Sequence, residues 1–175
     1  MEAVNRKAES VDSITTRTLV EIAYDSHLTQ QCGKILVDAL SGHLGSIQKG
    51  DGPVQRWRNP EDNLAHASRI LDGAEFSGVD ELVENFSELL QLSLKHGQNL
   101  NHPCCVGHQV PAPLPLVGLF DAVTTMTNQV QGVYEMGPWG IAAERAVIDL
   151  IAEKMGFTPG RFGGLVTSGG SLGNL

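Results

Sequence analysis

Apolar residues recur at helical spacing through residues 14 to 45, where Leu19, Ile22, Ala23, Cys32, Ile35, Leu36, Ala39 and Leu40 gather on one side of a helix. The polar pair Asp25–Ser26 interrupts this amphipathic stretch. The run that follows, SGHLGSIQKGDGPVQRWRNP, holds four glycines and two prolines and reads as a connection. Asn59–Pro60–Glu61–Asp62 then predicts a helix start, with a capping Asn, Pro in the first turn and acids beside the positive end of the dipole. That helix stops by Gly73. Val79 to His96 predicts a stronger helix, with Leu82, Val83, Phe86, Leu89, Leu90 and Leu94 on one side and Lys95–His96–Gly97 as its stop.

The segment NLNHPCCVGHQVPAPLP carries Pro103, Gly107, Pro111, Pro113 and Pro115, which break any helix and predict extended or turning chain. A long irregular segment inside a compact protein is usually functional or connecting. Two more helices follow. One runs from Pro115 to about Val133 with Leu116, Leu119, Phe120, Val123, Met126 and Val130 facing inward. The other runs from Pro138 to Met155 with Ala143, Val147, Ile148, Leu150 and Ile151, and stops at Gly156. FTPGRFGG reads as a double turn, Leu165–Val166–Thr167 as a short strand near 165–167, Ser168–Gly169–Gly170–Ser171 as a loop, and the residues after it as the first turn of another helix. No partner is visible for the strand, and a helix of one turn is marginal in water. These last residues therefore ask for further chain, or fray as a tail.

Composition adds the class. With 175 residues, 41% hydrophobic and 18% charged, the chain falls among globular proteins with a sizeable core. Aromatics make up only 5%, so aliphatic residues and alanine must build most of that core. No apolar run approaches the roughly 18–20 residues that span a bilayer, and the polar start MEAVNRKAESVDS lacks a secretory signal's apolar stretch. These features predict a cytoplasmic protein with no membrane partner. The net charge of −8 argues against nucleic acid, whose phosphates call for a basic face. Three cysteines, Cys32, Cys104 and Cys105, do not form a disulfide framework. Cys104, Cys105, His102 and His108 make a zinc site on paper, but adjacent cysteines do not follow the usual ligand spacing. The expectation is no metal.

Strand, TSGGS and helix together offer a phosphate several converging N–H donors. Glycine lets the backbone approach the anion, and a helix N-terminus favours negative charge. Ser171 would add a hydroxyl and cap the helix. The loop lacks the Lys-Ser/Thr of a P-loop and the full spacing of a dinucleotide fingerprint. Alone, it reads first as a tight turn with a capping serine.

The loop has company. His102–Pro103, Gly107–His108–Gln109, Tyr134–Glu135–Met136–Gly137–Pro138, Glu144, and Gly164–Leu165–Val166–Thr167–Ser168–Gly169–Gly170–Ser171–Leu172–Gly173–Asn174–Leu175 together resemble the group II pyridoxal-phosphate-dependent amino-acid decarboxylases. These include the aromatic-amino-acid, glutamate and diaminobutyrate decarboxylases. The motifs stand in family order over residues 60 to 175, while residues 1 to 59 resemble only an N-terminal helical extension. The resemblance implies an α/β fold in the complete protein, the aminotransferase type I architecture, with this chain mostly α-helical. It divides the chain into an extension at 1–59 that crosses a dimer interface, helices and a substrate-side segment at 60–112, and the start of the large cofactor domain at 113–175. It implies pyridoxal 5'-phosphate as cofactor, anchored by Gly169, Gly170 and Ser171, and an amino acid as substrate. His108 and Gln109 fall on the family's substrate-side segment, and His108 reads equally as a satisfied polar residue. Tyr134 falls on the stretch that reaches the neighbouring subunit's active site, or is interface packing. Glu144 takes a structural role on a helix face.

Two departures stand out. Cys104–Cys105 replaces a basic and an aromatic residue of the relatives, which alters the substrate wall. The family's Schiff-base lysine and ring-binding groups lie downstream of this sequence, and Lys7, Lys34, Lys49, Lys95 and Lys154 match no such motif. The resemblance thus implies the N-terminal portion of a carboxy-lyase, a homodimer in the family, with no catalytic residue in this chain. The remainder would then lie on a second chain or beyond the sequence. The alternatives are a truncated non-catalytic product and a helical dimerisation module. Alone, the chain is not expected to be active.

Overall fold

A computed structural model of the protein describes residues 18, 20–72, 78–106 and 110–174. The chain divides into two compact units, Met1–Ala112 and Pro113–Leu175. The described residues are mostly helical, and none of them forms a strand.

The first unit is built on α1 (Ser26–Gln48), α2 (Pro60–Asp72) and α3 (Val79–His96). A helical stretch over residues 20–23 closes at Tyr24, and α1 restarts because the Asp25 carboxylate accepts the N–H groups of His27 and Leu28. The interruption expected at Asp25–Ser26 is therefore a helix N-cap, satisfying donors that the first turn leaves open. Helix α1 runs past the expected end at residue 45 to Gln48, taking Gly42 and Gly45 into its interior. A glycine inside a helix costs about 0.5–1 kcal/mol relative to alanine. Burial offsets this cost, because the last turns of α1 pack along α3 and seat Ile47, a buried apolar side chain. The glycines that end the helix are Gly50 and Gly52, with φ of 86° and 77°, a region open to glycine at little steric cost.

Helix α3 has the predicted bounds and carries Asp80 and Glu81 in its first turn and Lys95 and His96 in its last. Leu82, Val83, Phe86, Leu90 and Leu94 are half-buried. Leu89, expected with them, lies at the edge of the stripe and is 48% exposed. Asn99 ties the connection after α1 to the end of α3: its N–H donates to Val54 O at 2.7 Å, and its side-chain Nδ2 donates to Pro53 O at 2.7 Å. Its Oδ1 then faces His43 Nε2 at 3.0 Å. An amide oxygen only accepts, so Nε2 of His43 carries the proton.

The second unit holds α4 (Pro115–Thr127), a 3-10 turn at Tyr134–Met136, α5 (Pro138–Lys154) and the single turn α6 (Gly170–Gly173). Helix α4 stops short of Val133 because Asn128 adopts φ 42°, the left-handed conformation in which its N–H caps Thr124 O. Its stripe was expected to face inward, yet Leu116 and Met126 are 79% and 74% exposed, and none of its residues is buried. A stripe becomes a core only against an opposing element, and no other helix of the unit packs along its length. The expected strand at 165–167 is absent for the same kind of reason. The segment is irregular, and with no neighbouring edge to pair with, three residues cannot form a ladder. No helix among the described residues is long and apolar enough to cross a membrane.

Candidate functional site

The candidate site is the approach to the glycine-rich loop, built on α5. Two prolines and a side chain set the N-terminal ends of the unit's helices. Pro115 and Pro138 occupy first-turn positions where the missing N–H is no loss. The N–H of Gly140, in the first turn of α5, donates to Gln129 Oε1 at 2.9 Å, so a residue eleven positions upstream acts as the cap. The turn between closes tightly on Gly137, which is buried. A Cβ there would stand 2.8 Å from Val130 O.

At the far end of α5, Gly156 takes φ 83° and Phe157 N–H returns to Ala152 O at 3.0 Å, ending the helix where the sequence placed its stop. Arg161 N–H then closes a turn on Thr158 O at 3.0 Å, with Gly160 at φ 75°. The chain comes back along α5 through three contacts. Phe162 lies under the Arg145 guanidinium, 5.8 Å from ring centroid to Cζ, and Arg145 also pairs with Asp149 at 3.0 Å. Gly164 lies so close to Ile148 that a Cβ would sit 2.9 Å from its Cγ2. Val166 N–H donates to Glu144 Oε1 at 2.7 Å. An irregular segment needs partners for its backbone groups, and Glu144 supplies one where a strand neighbour would have.

Thr167 Oγ1 next donates to Gly169 O at 3.0 Å, and the same carbonyl accepts from Leu172 N–H and Gly173 N–H. The loop therefore folds on its own carbonyls, while the N–H groups of Gly169, Gly170 and Ser171 donate to no acceptor among the described residues. Ser171, expected as a cap, sits inside the first turn instead. Gly169 is the capping residue and makes no side-chain bond. The serine is displaced because the helix starts two residues earlier than that cap requires, at Gly170, leaving Ser171 exposed beside the free amides.

Tyr134 opens the 3-10 turn that packs against α5, and is 62% exposed. His108 and Gln109 lie outside the described residues. His108 is also the fourth member of the paper zinc set; no group of three or more His, Cys, Asp or Glu that could hold a metal occurs among the described residues. His102 is buried, with Nδ1 accepting from Cys104 N–H at 3.0 Å. Its Nε2 therefore carries the proton, and it meets no acceptor among the described residues.

Glu144 and Gln129 are the contributions that periodicity did not assign. Glu144 stands one helical turn from Ile148, which seats Gly164, and a lone carboxylate among apolar helix neighbours is the signal that marks it. Replacing Glu144 with alanine is expected to speed hydrogen exchange at Val166 N–H by about 3- to 10-fold, since one such bond is worth about 1 kcal/mol. Glutamine, which keeps an acceptor, should restore most of the protection. Unchanged exchange in the alanine variant would show that the carboxylate does not hold the segment. No protein-family model matches the chain, and no curated protein matches it.

Proposed function

We propose that the chain is the N-terminal portion of a pyridoxal-phosphate-dependent amino-acid decarboxylase, contributing the phosphate anchor, part of the substrate wall and dimer contacts. The observation that carries this reading is the loop at 167–171. It is tethered from α5 through Glu144 and Val166, folded on Gly169 O, and keeps three successive N–H groups and the Ser171 hydroxyl open. Successive open amides form a concavity suited to a phosphate group. When bound, the cofactor would supply the electron sink on which the carboxylate leaves as carbon dioxide. The task of this chain is to bind and orient: Gly169, Gly170 and Ser171 hold the phosphate, and the resemblance assigns His108, Gln109 and Tyr134 to the substrate. In this reading the amine that bonds the cofactor comes from outside these 175 residues, the protein is cytoplasmic, and the complete molecule has the α/β aminotransferase type I architecture.

Pyridoxine phosphate tests the anchor, because it carries the phosphate but no aldehyde to react with surface lysines. The chain should bind it at least about tenfold more tightly than pyridoxine, as two or three charge-assisted hydrogen bonds require. Replacing Ser171 with alanine should remove a several-fold share of that preference. Equal binding of the two compounds would refute the anchor.

A second reading, a helical association module, draws support from the open stripe on α4, where Phe120 is 61% exposed beside Leu116 and Met126. It predicts self-association of the chain with no preference for the phosphate ester.

A further inference from the structure

A second feature lies in the first unit, apart from the loop. A cavity of about 360 Å³ opens between α1 and α3, lined by His43 and Ser46 of α1, Asp51 and Arg56 of the connection, and Gln91 and Lys95 of α3. That volume is at the small end for a ligand site and exceeds what a bare phosphate needs. Its lining is dominated by polar and charged side chains, which suits no apolar guest.

The charges around it are out of keeping with the chain. Across the sequence acids outnumber bases, giving −8, yet Arg56, Arg58 and Lys95 gather here with His66 and His96. None of the three permanent cations forms an ion pair among the described residues, where Lys34–Asp38 and Arg145–Asp149 are the pairs formed. Arg58 is instead turned onto His66 Nδ1 at 3.2 Å. A guanidinium only donates, so that His66 nitrogen is an acceptor. The His66 ring meets His96 edge to face, 6.2 Å between centroids. Burial first, then the charges of Arg58, Lys95, His66 and Arg56, lower the pKa of His96 from its ordinary value.

The scaffold around the cavity is tied down. Asn99 fixes both Pro53 and Val54, and Ser46 Oγ donates to Asp51 Oδ2 at 3.0 Å, engaging the one carboxylate that lines the space. Arg56 and Lys95 are left as its free cations.

We propose that this cavity binds a phosphate dianion, free or as a small monoester, with Arg56 and Lys95 as its charged ligands and Gln91 as a neutral donor. Both cations are exposed, so association is steered and salt-dependent. The site is independent of the 167–171 loop, which lies in the other unit.

The test is titration of the full 175-residue chain, followed by amide and side-chain NMR, with inorganic phosphate and, separately, glycerol 3-phosphate. Glycerol serves as the neutral control. Saturable shifts at Arg56, Gln91 and Lys95 are expected with both anions and none with glycerol. Tighter binding of glycerol 3-phosphate would identify a monoester as occupant, and equal binding would identify free phosphate. The double variant Arg56→Ala/Lys95→Ala should weaken binding at least about tenfold, with an unchanged melting midpoint because both side chains are exposed. The same variant should bind pyridoxine phosphate at Gly169–Ser171 as the parent does. Absent or non-saturating shifts at the cavity residues, or a double variant that binds phosphate there as well as the parent, would overturn the proposal.

Discussion

Replacing Gly137 with alanine is expected to destabilise the 113–175 unit by about 1–3 kcal/mol, the range for forcing an extra carbon into packed structure. The new Cβ would stand 2.8 Å from the carbonyl oxygen of Val130 and 3.0 Å from its carbon. These are backbone atoms, so no rotamer change can make room, and the turn must open. That turn also carries Gln129, which caps the start of α5, so the damage should reach the helix. Urea unfolding followed by Trp139 fluorescence, in a Trp57→Phe background, measures the effect. Gly118, inside α4 with nothing within 4 Å of its Cβ position, is the control. Alanine there should stabilise by about 0.5–1 kcal/mol through helix propensity. A neutral Gly137→Ala would mean that the 128–137 turn is not closed as described.

The second large effect is expected at Asn99. Alanine removes its donation to Pro53 O and its acceptance from His43 Nε2, while the backbone bond to Val54 O remains. At about 1 kcal/mol for each bond, the 1–112 unit should lose about 2 kcal/mol. Aspartate keeps an acceptor for His43 and loses only the donor, so about half the loss should remain. Denaturant melts of the two variants, read by Trp57 fluorescence in a Trp139→Phe background, compare them directly. Equal losses would indicate that the His43 contact contributes nothing and that Pro53 carries the whole effect.

These two positions also mark where local reading stopped. Gly137 was legible as part of a Tyr-Glu-Met-Gly-Pro motif, but nothing in its neighbours' periodicity says that Val130 lies against it. Asn99 read as one polar residue in an irregular run. Its partners are 46 and 56 residues away, and only the pairing of α1 with α3 brings them within bonding distance. The loop at 169–171 was legible as an anion-suited arrangement because glycine and serine carry that property themselves. Its tether was not, since Glu144 and Val166 are 22 residues apart and meet through the return of the chain along α5.

Helix boundaries were fixed by the sequence itself: the Asp25 cap, Pro60, the acids and bases at the two ends of α3, Pro115, Pro138 and Gly156. Each signal acts within one helical turn, on backbone groups that the same few residues satisfy or block. Tertiary structure decided the rest. Packing against α3 carried α1 through Gly42 and Gly45. The lack of an adjacent edge left 165–167 irregular, and the lack of an opposing helix left the α4 stripe open. A helix closes its hydrogen bonds within its own chain segment. A strand, a core and a charge cluster such as Arg56, Arg58 and Lys95 need partners that the chain supplies only after it has turned back on itself.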